Sequence, residues 1–203
     1  MIEDELDFWP EEFRPDTKII YVSTLDEKGF HAYYTYDLEK GEFLEKIAGV
    51  DGADVTDIDI DEDGNIRSYS YFNEFSHRVY NDKLWQSLSR FMAQSFPDQL
   101  AYVASYSKDK KKFIIKVTSP TNPGDYHFLD LNEKTLSWFG EVYPDVDKER
   151  LSPMTSVSYK ARDGLDIPAY LSLPKGVTSS KNLPTVIMPH GGPFARNYYG
   201  YDY

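Results

Sequence analysis

The sequence predicts a mainly β chain: about two blades of a β-propeller with one inserted helix, then the opening strands of a domain built on a parallel sheet. Three observations lead there. Aromatic residues make up 16% of the chain, with 17 Tyr and 12 Phe, a composition that favours strands over helices. Short runs rich in Ile, Val and Tyr are separated by turns rich in Asp, Gly and Pro. The text also echoes itself. Ile114-Ile115-Lys-Val-Thr mirrors Ile19-Ile20-Tyr-Val-Ser, and Tyr126-His-Phe-Leu-Asp-Leu131 mirrors Tyr33-Tyr-Thr-Tyr-Asp-Leu38. The separations are 95 residues (114 against 19) and 93 (130 against 37). Propeller blades recur every ~40–50 residues, so the echo fits two of them.

Taken in order, residues 1–17 read as an irregular lead-in broken by Pro10 and Pro15. Ile19–Ser23, His31–Tyr36 and Glu42–Ile47 are three strands, with turns at Asp26–Gly29 and Asp37–Gly41. Val55, Ile58 and Ile60 mark a fourth strand and Ile66–Phe72 its return. The turn between them, Asp61–Asn65, belongs to a stretch in which Asp59, Asp61, Asp63 and Gly64 match the first half of a calcium loop. Ser70 stands where the bidentate Glu is required, so a hairpin turn is the better reading. Leu84, Trp85, Leu88, Phe91 and Met92 share one face of a helix over about 82–95, capped by Asn81 or Asp82 and ended by Pro97. Strands resume at Leu100–Tyr106, Phe113–Thr118, Tyr126–Asp130 and Leu136–Phe139, with loops at Ser107–Lys112 and Pro120–Gly124. Residues 141–153 are an acidic linker containing Pro144 and Pro153. Thr155–Ala161 and Ile167–Leu173 then pair across the turn Arg162-Asp163-Gly164. The chain divides at 1–147 and 148–203.

Composition excludes several functions. The formal net charge is -12, and the one basic run, Lys108–Lys112, reads as a solvated turn, so phosphate backbones and anionic membranes are poor partners. Without cysteine there are no disulfides, no thiol catalysis and no Cys-ligated zinc. No other metal site or cofactor is expected. The N-terminus, MIEDELDFWPEEF, lacks the apolar core of a signal peptide, and no apolar run is long enough to span a membrane. The expected compartment is the cytoplasm, or the periplasm if Met1 is internal. The oligomeric state is not legible.

The chemistry sits near the end, in Leu183-Pro-Thr-Val-Ile-Met-Pro-His-Gly-Gly-Pro193. Thr185–Met188 fits a buried strand of a parallel sheet, stopped by Pro189. Gly191 and Gly192 let the backbone bring its N–H groups close to a ligand. Two readings stand: an ordinary glycine turn, or a loop resembling the oxyanion-hole loop of α/β-hydrolases.

A longer stretch carries more. Ser158-Tyr-Lys-Ala-Arg-Asp-Gly-Leu-Asp-Ile-Pro-Ala-Tyr-Leu-Ser-Leu-Pro-Lys175, followed by Leu183–Pro193, resembles the start of the catalytic domain in the prolyl oligopeptidase family of serine peptidases. The acylaminoacyl-peptidase and dipeptidyl-peptidase-like bacterial members are most similar. The resemblance covers about residues 150–203. It implies a β-propeller ahead of an α/β-hydrolase domain, and hydrolysis of peptide or acyl-amide bonds of short peptides through a serine acyl-enzyme. It maps an oxyanion donor onto the Gly192 N–H, with Gly191 shaping the turn. His190 and Pro193 become loop-structural residues, and Arg196 a candidate for a substrate carboxylate or, equally, a surface arginine.

The sequence also departs from that pattern. It contains no Gly-x-Ser-x-Gly and no triad Asp and His after the loop, so no catalytic residue of the triad is expected among these residues. The expectation is a fragment, inactive as it stands and truncated before its nucleophile. The alternatives are a non-catalytic β-rich interaction module and an esterase of the same hydrolase fold. The fragment reading has a testable consequence. Expressed as these 203 residues, the chain should aggregate, because Thr185–Met188 would lie at an unfinished sheet edge. Size-exclusion chromatography with a thermal melt checks this, and a monodisperse, cooperatively melting product counts against truncation.

Overall fold

The computed structural model describes residues 8–15, 17–177, 181–192 and 195–202. It is mainly β, with four antiparallel sheets and one α-helix among the described residues. The chain forms two compact units, Met1–Ser87 and Leu88–Tyr203. No described helix is long and apolar enough to cross a membrane.

The first unit opens with a four-stranded meander: β1 (Trp9–Phe13), β2 (Ile19–Leu25), β3 (His31–Asp37) and β4 (Glu42–Ala48), hydrogen-bonded in that order. The central strands supply the core, where Ile20, Tyr21, Val22, Ala32 and Tyr33 are buried. A three-stranded meander follows: β5 (Val55–Ile60), β6 (Ile66–Phe72) and β7 (Ser76–Tyr80). Tyr33, Ala48 and Val55 pack the two meanders together, flanked by Ile47, Ile58 and Tyr69. Burial pushes the Tyr33 hydroxyl up to about 12, helped by the charges of Glu11 and Asp57. Helix α1 (Lys83–Ser95) comes next. The Asp82 carboxylate caps it by accepting the Leu84 and Trp85 N–H groups at 2.8 and 3.1 Å. Trp85 stacks on Tyr80 and lies under the Arg67 guanidinium.

The second unit holds a four-stranded meander of β8 (Leu100–Tyr106), β9 (Lys112–Ser119), β10 (Asn122–Asp130) and β11 (Thr135–Glu141). In β9, Phe113, Ile115, Val117 and Ser119 are buried in strict alternation with half-buried residues, the period-two signature of a strand with one face in the core. A 3-10 turn at Lys148–Arg150 precedes the hairpin of β12 (Met154–Lys160) and β13 (Asp166–Ser172), paired without a bulge from Met154↔Ser172 to Lys160↔Asp166.

Four of the hairpins close on one turn. The fourth residue's N–H reaches back to the first residue's carbonyl in Asp26–Gly29, Asp61–Gly64, Ser107–Lys110 and Ala161–Gly164, at 2.8 to 3.0 Å. That fourth residue has positive φ in each, 81°, 76°, 54° and 91°, and three of the four are glycine. The echo seen in the sequence is a repeat of hydrogen bonds. Arg14 N–H to Ile19 O recurs as Ser107 N–H to Lys112 O, and Leu38 N–H to Lys18 O as Leu131 N–H to Lys111 O. Asp37 caps Glu39 and Lys40 as Asp130 caps Asn132 and Glu133. The offset is 93 each time (107 against 14, 131 against 38, 130 against 37).

Several expectations are corrected. Two repeats undercount the meanders, because β5–β7 lies between the echoing pair. Its last strand, Ser-His-Arg-Val-Tyr, has little apolar content and turns on Asn73 rather than on glycine. The lead-in contains β1, where Pro10 is tolerated because the strand is at a sheet edge and bulges between Pro10 and Glu12. The expected loop Pro120–Gly124 is largely the start of β10, with a register shift between Asn122 and Asp125. Thr185–Met188 pairs with no strand among the described residues, and Val186, Ile187 and Met188 are 84, 84 and 78% exposed. A parallel-sheet strand is defined by its neighbours, and Thr185–Met188 has none, so no α/β-hydrolase sheet forms among the described residues.

The turn at Asp26 yields a prediction. Its Oδ2 is 2.6 Å from Lys46 Nζ and its Oδ1 accepts the Lys28 and Phe30 N–H groups, with the side chain 3% exposed. The Lys46 hydrogen bond, aided by Phe30, holds the carboxyl down at about 2 against an ordinary 3.8. A depressed carboxyl stabilises the fold above its ordinary value and loses that effect as pH falls toward the native one. Asp26→Asn should therefore lower the melting temperature at neutral pH, and the gap to wild type should shrink as pH falls from about 5 to about 3. Thermal melts across that range check it.

Candidate functional site

The candidate loop follows the β12–β13 hairpin. At the base of that hairpin Lys175 Nζ donates to the Glu149 carbonyl and to its Oε2, both at 2.7 Å. The glycine segment is exposed. His190 Nδ1 lies 2.7 Å from Gly191 O. A Cβ on Gly191 would meet open space. Gly192 has φ 150°, a conformation that L side chains rarely adopt. Pro193, the other loop-structural candidate, lies outside the described residues. Beyond it Arg196 sits 6.0 Å from the Tyr198 ring centroid, and Asn197 Nδ2 donates to Met188 O at 3.4 Å. Tyr199 and Tyr201 then return to the earlier chain, with ring centroids 6.0 Å from Tyr170 and 5.8 Å from Tyr143. The loop is thus tethered on its far side to the hairpin and to the linker. Gly192 and Arg196 lie on the same exposed segment, four residues apart.

Chemically, the segment offers backbone N–H donors and one guanidinium. Two of the other three histidines are engaged elsewhere. The His77 ring is 2.9 Å from Asn73 Oδ1 and stacks on Tyr71. His127 packs on Phe96, and burial lowers its pKa against the pull of Asp125. No group of three or more His, Asp or Glu able to hold a metal occurs among the described residues. The acidic turn that resembles half a calcium loop is a hairpin turn. Asp59 pairs with Arg67 through two bonds of 2.7 and 2.6 Å, and Asp61 Oδ1 accepts the Asp63 and Asn65 N–H groups.

Two features have no local sequence signal, because their residues meet only through the fold. One is a cavity of about 250 Å³ in the first unit, lined by Arg14, Tyr21, Thr35, Glu45, Lys46 and Asn65 among others. The second is a polar node where β10 begins. Lys148 Nζ sits 2.9 Å from Asp125 Oδ1 and 2.8 Å from Glu141 Oε1. Burial works to raise the Asp125 carboxyl, but the hydrogen bonds from Lys148 and Asn122 leave it below the ordinary range. Burial likewise works to lower the Lys148 ammonium, and its two carboxylate partners leave it raised.

No protein-family model matches the sequence. Over 99 residues the chain is 29% identical to dipeptidyl aminopeptidase BIII of Pseudoxanthomonas mexicana, covering 46% of this chain and 14% of that enzyme. Over 144 residues it is 25% identical to dipeptidyl peptidase family member 6 of Caenorhabditis elegans, covering 61% of this chain and 19% of the relative. The chain is distantly homologous to dipeptidyl peptidases over a part of their length. It spans only 14 to 19% of the curated relatives it matches, which include the uncharacterized peptidase YuxL of Bacillus subtilis at 26% identity. The fold agrees. Superposition on a prolyl endopeptidase covers 84% of this chain and 24% of that one, with a TM-score of 0.51 at 16% identity. Prolyl oligopeptidase B from Galerina marginata, bound to a 35mer substrate, gives a TM-score of 0.50 at 15% identity, covering 82% of this chain and 23% of that one.

Proposed function

We propose that these residues are the junction of a serine peptidase of the prolyl oligopeptidase family. The homology to dipeptidyl peptidases carries this reading. In it, the meanders β1–β4, β5–β7 and β8–β11 are propeller blades, and the hairpin β12–β13 begins the hydrolase domain. The substrate is a peptide or acyl-amide bond of a short peptide, cleaved through a serine acyl-enzyme.

In this reading the loop at Gly192 supplies charge stabilisation. Attack on the scissile carbonyl puts negative charge on its oxygen, and a fixed N–H aimed at that oxygen stabilises the transition state more than the ground state. The Gly192 N–H is assigned that role, with Gly191 allowing the turn. His190 precedes any nucleophile, whereas in this fold the triad runs Ser, Asp, His in chain order, so His190 is not the base. Arg196 is assigned to a substrate carboxylate in this reading. Nucleophile, base and acid come from other parts of the polypeptide.

The test has two steps. The coding DNA should continue in frame past codon 203 into a Gly-x-Ser-x-Gly, with an Asp and a His beyond it. In the polypeptide so encoded, Gly192→Pro removes one N–H donor and should lower kcat on a dipeptidyl p-nitroanilide by about 10²–10³-fold. A frame that closes without a nucleophile sinks the proposal. Activity on p-nitrophenyl esters but not on anilides would replace the peptidase with an esterase.

A further inference from the structure

Residues 142–150 follow β11 and form no strand, yet they are held at close intervals. Val142 N–H donates to Gly124 O at 2.9 Å. That approach needs glycine, since a Cβ at 124 would lie 2.7 Å from Val142 Cγ2. Asp147 caps the 3-10 turn by accepting the Glu149 N–H. Lys148 then reaches back to the strands on both sides of the corner: Asp125, at the start of β10, and Glu141, the last residue of β11.

The node is built around Asp125. Its second oxygen accepts from Asn122 Nδ2 at 2.8 Å, and the same amide nitrogen reaches Gln99 Oε1 at 3.0 Å. Asn122 Oδ1 accepts the Gly124 N–H, closing the corner. The Asp125 side chain is 16% exposed and that of Lys148 32%. Lys40, which also lies between two carboxylates, is 63% exposed and sits 3.3 and 3.8 Å from them. A half-buried lysine between two carboxylates differs from a surface pair. Removing it leaves two like charges side by side at reduced solvation, whereas exposed pairs contribute little.

We infer that Lys148 is a two-carboxylate pin, a positioning residue that fixes residues 142–151 against the start of β10 and so sets where the β12–β13 hairpin and the glycine loop leave the sheet. The pin rests on the geometry alone; its effect on a reaction rests on the peptidase reading.

Hydrogen exchange on the polypeptide of the full reading frame tests it, comparing wild type, Lys148→Met and Lys148→Arg. Lys148→Met keeps the length of the side chain and removes the charge. Exchange at residues 142–151 should rise about tenfold, the equivalent of one charge-assisted hydrogen bond, while β9 stays protected. Lys148→Arg should restore protection. Glu141→Gln, with Asp125 intact, should give a smaller rise at the same residues, and it reports on the pin if Lys148→Met does not fold. An unchanged segment, or equal loss across β9 and the segment, overturns the pin. Anilide hydrolysis measured in parallel separates the two readings: faster exchange without any activity keeps the pin and sinks the peptidase, while activity without the exchange change does the reverse.

Discussion

Each hairpin in this chain depends on side-chain oxygens that accept their own turn's N–H groups. Antiparallel strands have their register fixed by the turn that joins them, and a slip of one residue would turn every buried side chain outward. Asp26, Asp37, Asp61, Ser107, Asp130 and Asp163 all work this way, holding donors that water would otherwise have to satisfy. Five of the 34 acidic residues behind the net charge of -12 are therefore structural in this way. These carboxylates sit at the strand ends and hold the pleat in phase. The buried alternation of Phe113, Ile115 and Val117 follows from that phasing.

Where sequence and structure agree, the signal is local. Ile19-Ile20-Tyr-Val-Ser, the Asp-x-x-Gly turns and the apolar face of α1 are patterns that a few neighbouring residues define, and the elements form within a residue or two of the expected bounds. The disagreements have physical causes. Pro10 argues against a strand in general, but an edge strand does not need its missing N–H. Asn-Pro-Gly at 122–124 spells a turn, but the fold uses its freedom as a register shift inside β10. Thr185–Met188 has strand composition without a partner, and composition alone cannot supply the ladder.

The candidate site was legible to a similar degree. His-Gly-Gly could be found by motif, and the positive φ at Gly192 follows from its residue type. The return of Tyr199 and Tyr201 onto Tyr170 and Tyr143 could not be found, since those pairs lie far apart in sequence. Neither could the Lys148 node, whose partner Asp125 lies 23 residues away. Aromatic contacts and the lysine node together bracket the hairpin between two fixed ends. A glycine-rich loop gains from such bracketing, because its own glycines supply no stiffness.

The middle meander bears on where this architecture tolerates change in length. Its turn bond, Asp61 N–H to Asn65 O, falls between those at Arg14 and Ser107 but spans four residues where they span five, and β5, β6 and β7 pair in the same consecutive order as β1, β2 and β3. In the place where β4 follows β3, the chain instead has α1. A helix satisfies its backbone internally and makes no demand on strand register, but α1 buries Trp85, Leu88 and Met92 on one face, so one residue added or lost inside it would turn that face by about 100°. The interval after β7 is therefore metered by helical turns where the rest of the chain is metered by strand pairing.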